Sequence, residues 1–147
     1  MSDLRDLYQE TILDHNKRPR NFKKLENANR SADGYNPLCG DKVKVYLRVE
    51  DGRVQDLSFE GSGCAISKAS ASVMTESLKG KSVEEVESIF KRFRDLVMGK
   101  AEEADDLGKL VVFSGVCEFP TRVKCATLAW HALQAALQDT KEAVSTE

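Results

Sequence analysis

The chain has 147 residues, 41% hydrophobic and 31% charged, with a formal net charge of −2. That length suits a single domain, residues 1–147, whose core can stand without disulfide staples. The charge balance argues against the basic surface that non-specific nucleic-acid binding needs. No apolar run approaches the roughly 18–20 residues of a membrane span.

The first residues, Met1-Ser2-Asp3-Leu4-Arg5-Asp6, carry charges and no apolar stretch behind them. No secretory signal is therefore expected, and the expected compartment is the cytoplasm. Thiols stay reduced there. Cys39, Cys64, Cys117 and Cys125 are then ligands, nucleophiles or core residues rather than disulfide partners.

Leu4, Leu7, Tyr8, Ile12 and Leu13 recur at helical spacing, predicting an amphipathic helix over 3–16, broken by Pro19 and Asn21. Lys17 to Lys24 is locally basic and reads as a solvated face. Residues 25–40 are polar and turn-rich, with room for one short edge strand. Val43, Val45, Leu47 and Val49 alternate with polar partners, predicting a half-buried strand. Asp51-Gly52 is a hairpin turn, and residues 53–60 return with Leu57 and Phe59 facing in.

After Gly61-Ser62-Gly63 a helix rich in alanine and serine is expected from Cys64 to Leu78, its small side chains packing close to the sheet. Ser82 and Glu85 form a capping box for a helix reaching Met98. A short helix follows near 107–113. Pro120 opens the last helix, which reaches Gln138, and residues 139–147 form a frayed tail. Strands early and helices late make an α+β domain: a small antiparallel three-stranded sheet covered by about five helices.

Three cysteines stand at special backbone positions. Cys39 lies between Pro37 and Gly40, and Asp41 can join it at one site if the chain bends at Gly40. Cys64 follows Gly-Ser-Gly at a helix N-terminus, where free N–H groups and the helix dipole favour a thiolate. Cys125 starts the last helix beside Lys124 and near Arg122, two cations expected to lower its pKa. Three thiols and a carboxylate suit tetrahedral zinc, or an iron–sulfur cluster with one non-cysteine ligand. No Cys-x-x-Cys pair occurs, so spacing leaves open a third reading, in which the cysteines are small buried hydrophobes. Cys117 has no such context and reads as a packing residue or exposed thiol. His15 and His131 read as ordinary helix residues.

Three segments carry a resemblance. Asn36-Pro37-Leu38-Cys39-Gly40-Asp41, Gly61-Ser62-Gly63-Cys64-Ala65-Ile66-Ser67-Lys68-Ala69-Ser70 and Arg122-Val123-Lys124-Cys125-Ala126-Thr127-Leu128 resemble the signatures of the IscU/NifU N-terminal family. The similarity runs from the Leu7-Tyr8 helix to the last helix. Two features resemble the SufU-like branch. Lys124 stands where the scaffold branch carries histidine, and the long stretch 65–124 holds an insertion placed near 93–116.

The resemblance implies an IscU/SufE-like fold. It also implies a zinc-dependent sulfurtransferase that accepts persulfide sulfur from a PLP-dependent cysteine desulfurase and serves iron–sulfur assembly or acceptor proteins, with no nucleic-acid or membrane partner. Cys39, Asp41, Cys64 and Cys125 would be the metal ligands, Cys39 the sulfur acceptor and Arg122 an assisting residue. The alternative within the family is a scaffold that assembles a [2Fe–2S] cluster, with iron or the cluster in place of zinc. Cys117 departs from the family pattern, either as a spare sulfur carrier or as a neutral substitution.

Overall fold

Asp51 and Gly52 both take positive φ, 54° and 72°, the backbone of a type I′ turn. They fold β2 (Asp41–Glu50) onto β3 (Arg53–Ser62), pairing Val45 with Phe59 and Leu47 with Leu57, with a bulge after Arg48. β1 (Arg30–Asn36) pairs antiparallel on the other edge of β2, from Arg30 opposite Leu47 to Asn36 opposite Asp41. The connection between β1 and β2 is therefore that of a hairpin. A two-residue strand, β4 (Val144–Ser145), adds parallel to Gly34 and Tyr35, giving the order β3-β2-β1-β4.

The computed structural model describes residues 2–37, 39–100, 105–138 and 144–145, without the side chains of 2–5, 105, 106, 109, 117, 118, 144 and 145. Leu38, the side chain of Cys117 and most of the 139–147 tail thus lie outside the described residues.

Around the sheet stand α1 (Ser2–Lys17), α2 (Ala65–Leu78), α3 (Val83–Val97), a 3-10 segment (Asp105–Glu118) kinked at Gly108, and α4 (Pro120–Leu137). With the three antiparallel strands this is the expected α+β arrangement. Ser82 caps α3 through the reciprocal bonds of a capping box with Glu85. α4 lies against β1 and β2, while α2 packs among β3, α1 and α4.

The small residues of α2 thus do more than approach the sheet, the role their size had implied. They seat α4 as well: the buried Ser70 hydroxyl donates to the Ala126 carbonyl at 2.5 Å and accepts the Trp130 Nε1–H at 3.1 Å. Trp130 stacks on Phe93 with ring centroids 4.5 Å apart, tying α3 to the same core.

His15 is buried with Nδ1 2.6 Å from the Ser72 hydroxyl, and His131 meets the Phe90 ring edge-on. Both belong to the packing. Among the described residues, no helix is long and apolar enough to cross a membrane.

Candidate metal centre

The fold gathers the signature segments at one end of the sheet. The β1–β2 loop presents Cys39, and Gly40 at φ +71° turns the chain so that Asp41 can open β2 with its side chain fully buried. At the far end of β3 the chain passes over that carboxylate. Gly63 has φ +151°, and a Cβ there would lie 2.3 Å from Asp41 Oδ1. Only glycine permits this approach. It lets the next backbone N–H, that of Cys64, donate to Asp41 Oδ1 at 2.7 Å.

Cys64 is the N-cap of α2, and its sulfur accepts the Ser67 N–H at 3.4 Å. Pro120 opens α4 and brings Cys125 in, fully buried, with its thiol donating to the Cys39 sulfur at 3.2 Å. Asn36, the last residue of β1 and also fully buried, donates from Nδ2 to Asp41 Oδ2 at 3.2 Å and to Cys125 Sγ at 3.5 Å.

Cys39, Asp41 and Cys125 each offer a ligand atom, all within 4.8 Å of one another. Cys64 stands beside this group rather than inside it, its sulfur 3.9 Å from Asp41 Oδ2. Arg122 is exposed at the rim, three residues before Cys125. Its guanidinium pKa is raised by the charge of Cys64 first, then by Cys125 and Cys39, with a hydrogen bond to Cys64 adding to it.

One electrostatic expectation is reversed. Lys124 and Arg122 were expected to lower the Cys125 pKa, but burial pushes this thiol far up, and hydrogen bonds to Cys39 and Asp41 add to the rise. The cations lose because Arg122 sits in water while the sulfur does not.

The donor set itself fits a metal ion. Thiolates and a buried carboxylate suit zinc, which takes both and imposes no geometry of its own. Two residues near this end were given no role in the site from sequence. Tyr8 of α1 has its pKa raised by burial, with Arg122 lowering and Cys64 raising it, so its phenol feels the site. Asn36 looked like a turn residue, and no periodicity could show its side chain turned inward.

Compared with known proteins, residues 7–126 match the NifU-like N-terminal domain. The chain is 44% identical over 134 residues to the zinc-dependent sulfurtransferase SufU of Bacillus subtilis, covering 90% of each. It is 37% identical to the iron–sulfur cluster assembly scaffold protein IscU of Streptococcus pyogenes, covering 94% of this chain and 87% of the relative. Among solved structures, a putative iron–sulfur cluster assembly scaffold protein for the SUF system from Fervidobacterium islandicum superposes with a TM-score of 0.84. It is 38% identical and covers 90% of this chain and 97% of that one.

Proposed function

Because this chain belongs to the family of NifU-like N-terminal domains, we propose that it serves iron–sulfur cluster assembly as a zinc-dependent sulfurtransferase, with Cys39 accepting persulfide sulfur from a PLP-dependent cysteine desulfurase. The observation that carries this reading is the convergence of Cys39, Asp41 and Cys125 on one point, with Cys64 at its edge. Those four residues would hold the zinc. Bound there, zinc supplies positive charge that keeps the thiols ionised without redox chemistry of its own.

The three sulfurs are not equivalent. Cys125 is fully buried, and Cys64 is committed to capping α2. Cys39 stands half-exposed on a hairpin loop, the position from which a sulfur can reach an incoming group. In the transfer, the Cys39 thiolate attacks the outer sulfur of the donor persulfide, R–S–SH. A new S–S bond forms to Cys39 as the donor S–S bond breaks. The electron pair leaves with the donor as R–S⁻, and the proton stays on the transferred sulfur. No outside oxidant or reductant is required. Arg122 at the rim would stabilise the negative charge of the attacking thiolate and of the departing R–S⁻.

Downstream partners would be iron–sulfur assembly or acceptor proteins. A cytoplasmic setting suits three cysteines that stand as free thiols. The similarity to IscU of Streptococcus pyogenes supports a second reading, in which the same donors hold a [2Fe–2S] cluster as cargo for acceptors. Lys124 beside Cys125 counts against it, since an ammonium has no lone pair for iron.

Zinc content and desulfurase stimulation, measured on wild type and Cys39→Ser purified without added metal, separate the possibilities. Sulfur transfer through Cys39 predicts about one zinc per chain and loss of stimulation in the variant. Iron with acid-labile sulfide and little zinc would replace this reading with the scaffold. Stimulation retained by the variant would reduce the protein to a structural adaptor.

A further inference from the structure

Asn36 spends its side chain in an unusual way. It is fully buried, and its Nδ2 group faces two acceptors, Asp41 Oδ2 at 3.2 Å and Cys125 Sγ at 3.5 Å. Among the described residues, its buried Oδ1 has no hydrogen-bond partner. Flipping the amide would not relieve this, because the oxygen would then face a carboxylate oxygen and a sulfur, both acceptors once ionised. Among the described residues, the amide oxygen is left unpaired while the nitrogen serves two residues of the site.

Those two bonds distinguish the three sulfurs. Cys125 receives the Asn36 N–H, and Cys64 receives the Ser67 N–H together with Arg122. Among the described residues, the hydrogen bond reaching Cys39 comes from the Cys125 thiol. Among the described residues, the Asn36 amide bonds Asp41 and Cys125 and not Cys39.

We infer that Asn36 is a positioning residue of this site: its amide holds Asp41 and Cys125 together as the retained pair of ligands, and so leaves Cys39 as the sulfur free to react. The inference rests on the proposed metal-site reading. It adds the element that decides which ligand stays. A hydrogen bond to a metal-bound thiolate lowers the energy of its lone pair, so the effect has a spectroscopic signature that a purely structural role lacks.

Cobalt(II) is the probe, titrated anaerobically into metal-free wild type, Asn36→Leu and Asn36→Ser. Leucine keeps the volume without a donor. Serine is too short to span both partners and covers the case in which the leucine variant does not fold. The expected result is a thiolate-to-cobalt charge-transfer band at lower energy in either variant than in wild type, with cobalt bound at least tenfold more weakly. A band at the wild-type position in every variant that folds would overturn the inference, even if metal-free stability fell. A wild type that binds cobalt without any thiolate charge-transfer band would instead overturn the metal-site reading beneath it.

Discussion

Replacing Gly63 by alanine puts the geometry of the centre to a quantitative test. At φ +151° an L side chain is strained, at a cost on the order of 1–3 kcal/mol. The added Cβ would also sit 2.3 Å from Asp41 Oδ1 and 2.9 Å from Asp41 Cα, and the second of these is backbone that cannot swing aside. Relief requires Asp41 to move from the Cys64 N–H, breaking a 2.7 Å bond to a carboxylate, worth about 1.5–3 kcal/mol. Together these imply a loss of about 4 kcal/mol, or about 8–16 °C in Tm at the sensitivity of a chain this long.

Gly40→Ala is the control. It also has positive φ, +71°, but nothing lies within 4 Å of its added Cβ, so about 1–2 kcal/mol is expected. Urea unfolding of the metal-free proteins gives both values, and zinc titration should show that Gly63→Ala binds more weakly than wild type. If Gly63→Ala is no less stable than Gly40→Ala and keeps wild-type zinc affinity, the close approach of residue 63 to Asp41 does not hold in solution and the reasoning fails.

Ser70→Ala should lower stability by about 2 kcal/mol, because it leaves the buried Trp130 N–H and the Ala126 carbonyl without their hydroxyl partner. A change within about 0.5 kcal/mol by denaturant titration, the range of ordinary surface substitutions, would show that α2 and α4 do not depend on this bond. Burial, with the hydrogen bond and charge of Glu60 behind it, pushes the Tyr46 phenol up to about 12. The folded protein then holds this proton more tightly than the unfolded chain, whose phenol titrates near 10. The contribution is complete below about pH 10 and is lost as pH rises toward 12. Stability measured across that window should fall less steeply in Tyr46→Phe than in wild type, and equal slopes would contradict the assignment.

Local pattern carried much of the architecture because the elements here are locally consistent. Alternation in Val43, Val45 and Leu47, the Asp51-Gly52 turn, the Ser82–Glu85 box and Pro120 at a helix start each act within a few residues, and each stands in the fold where it stands in the pattern. The segment over 105–118 was harder to read. Its 3-10 turns, broken at Gly108, carry no 3.6-residue stripe, and only a short helix near 107–113 was legible. β4 was missed altogether, since two residues added to an edge have no period of their own.

For the centre, the sequence by itself determined which residue types are present and that glycine flanks two of the cysteines: Gly40 beside Cys39 and Gly63 beside Cys64. Covalent neighbours impose those features. Which donors meet was decided by the tertiary structure alone, because Asn36, Asp41, Cys64 and Cys125 come from β1, β2, the turn before α2, and α4. Burial was decided there too, and it reversed the expected direction at Cys125, where loss of water outweighs two neighbouring cations. The inward turn of Asn36 has the same origin. An amide next to proline looks like a turn residue until the hairpin register sets it opposite Asp41 and α4 closes Cys125 over it.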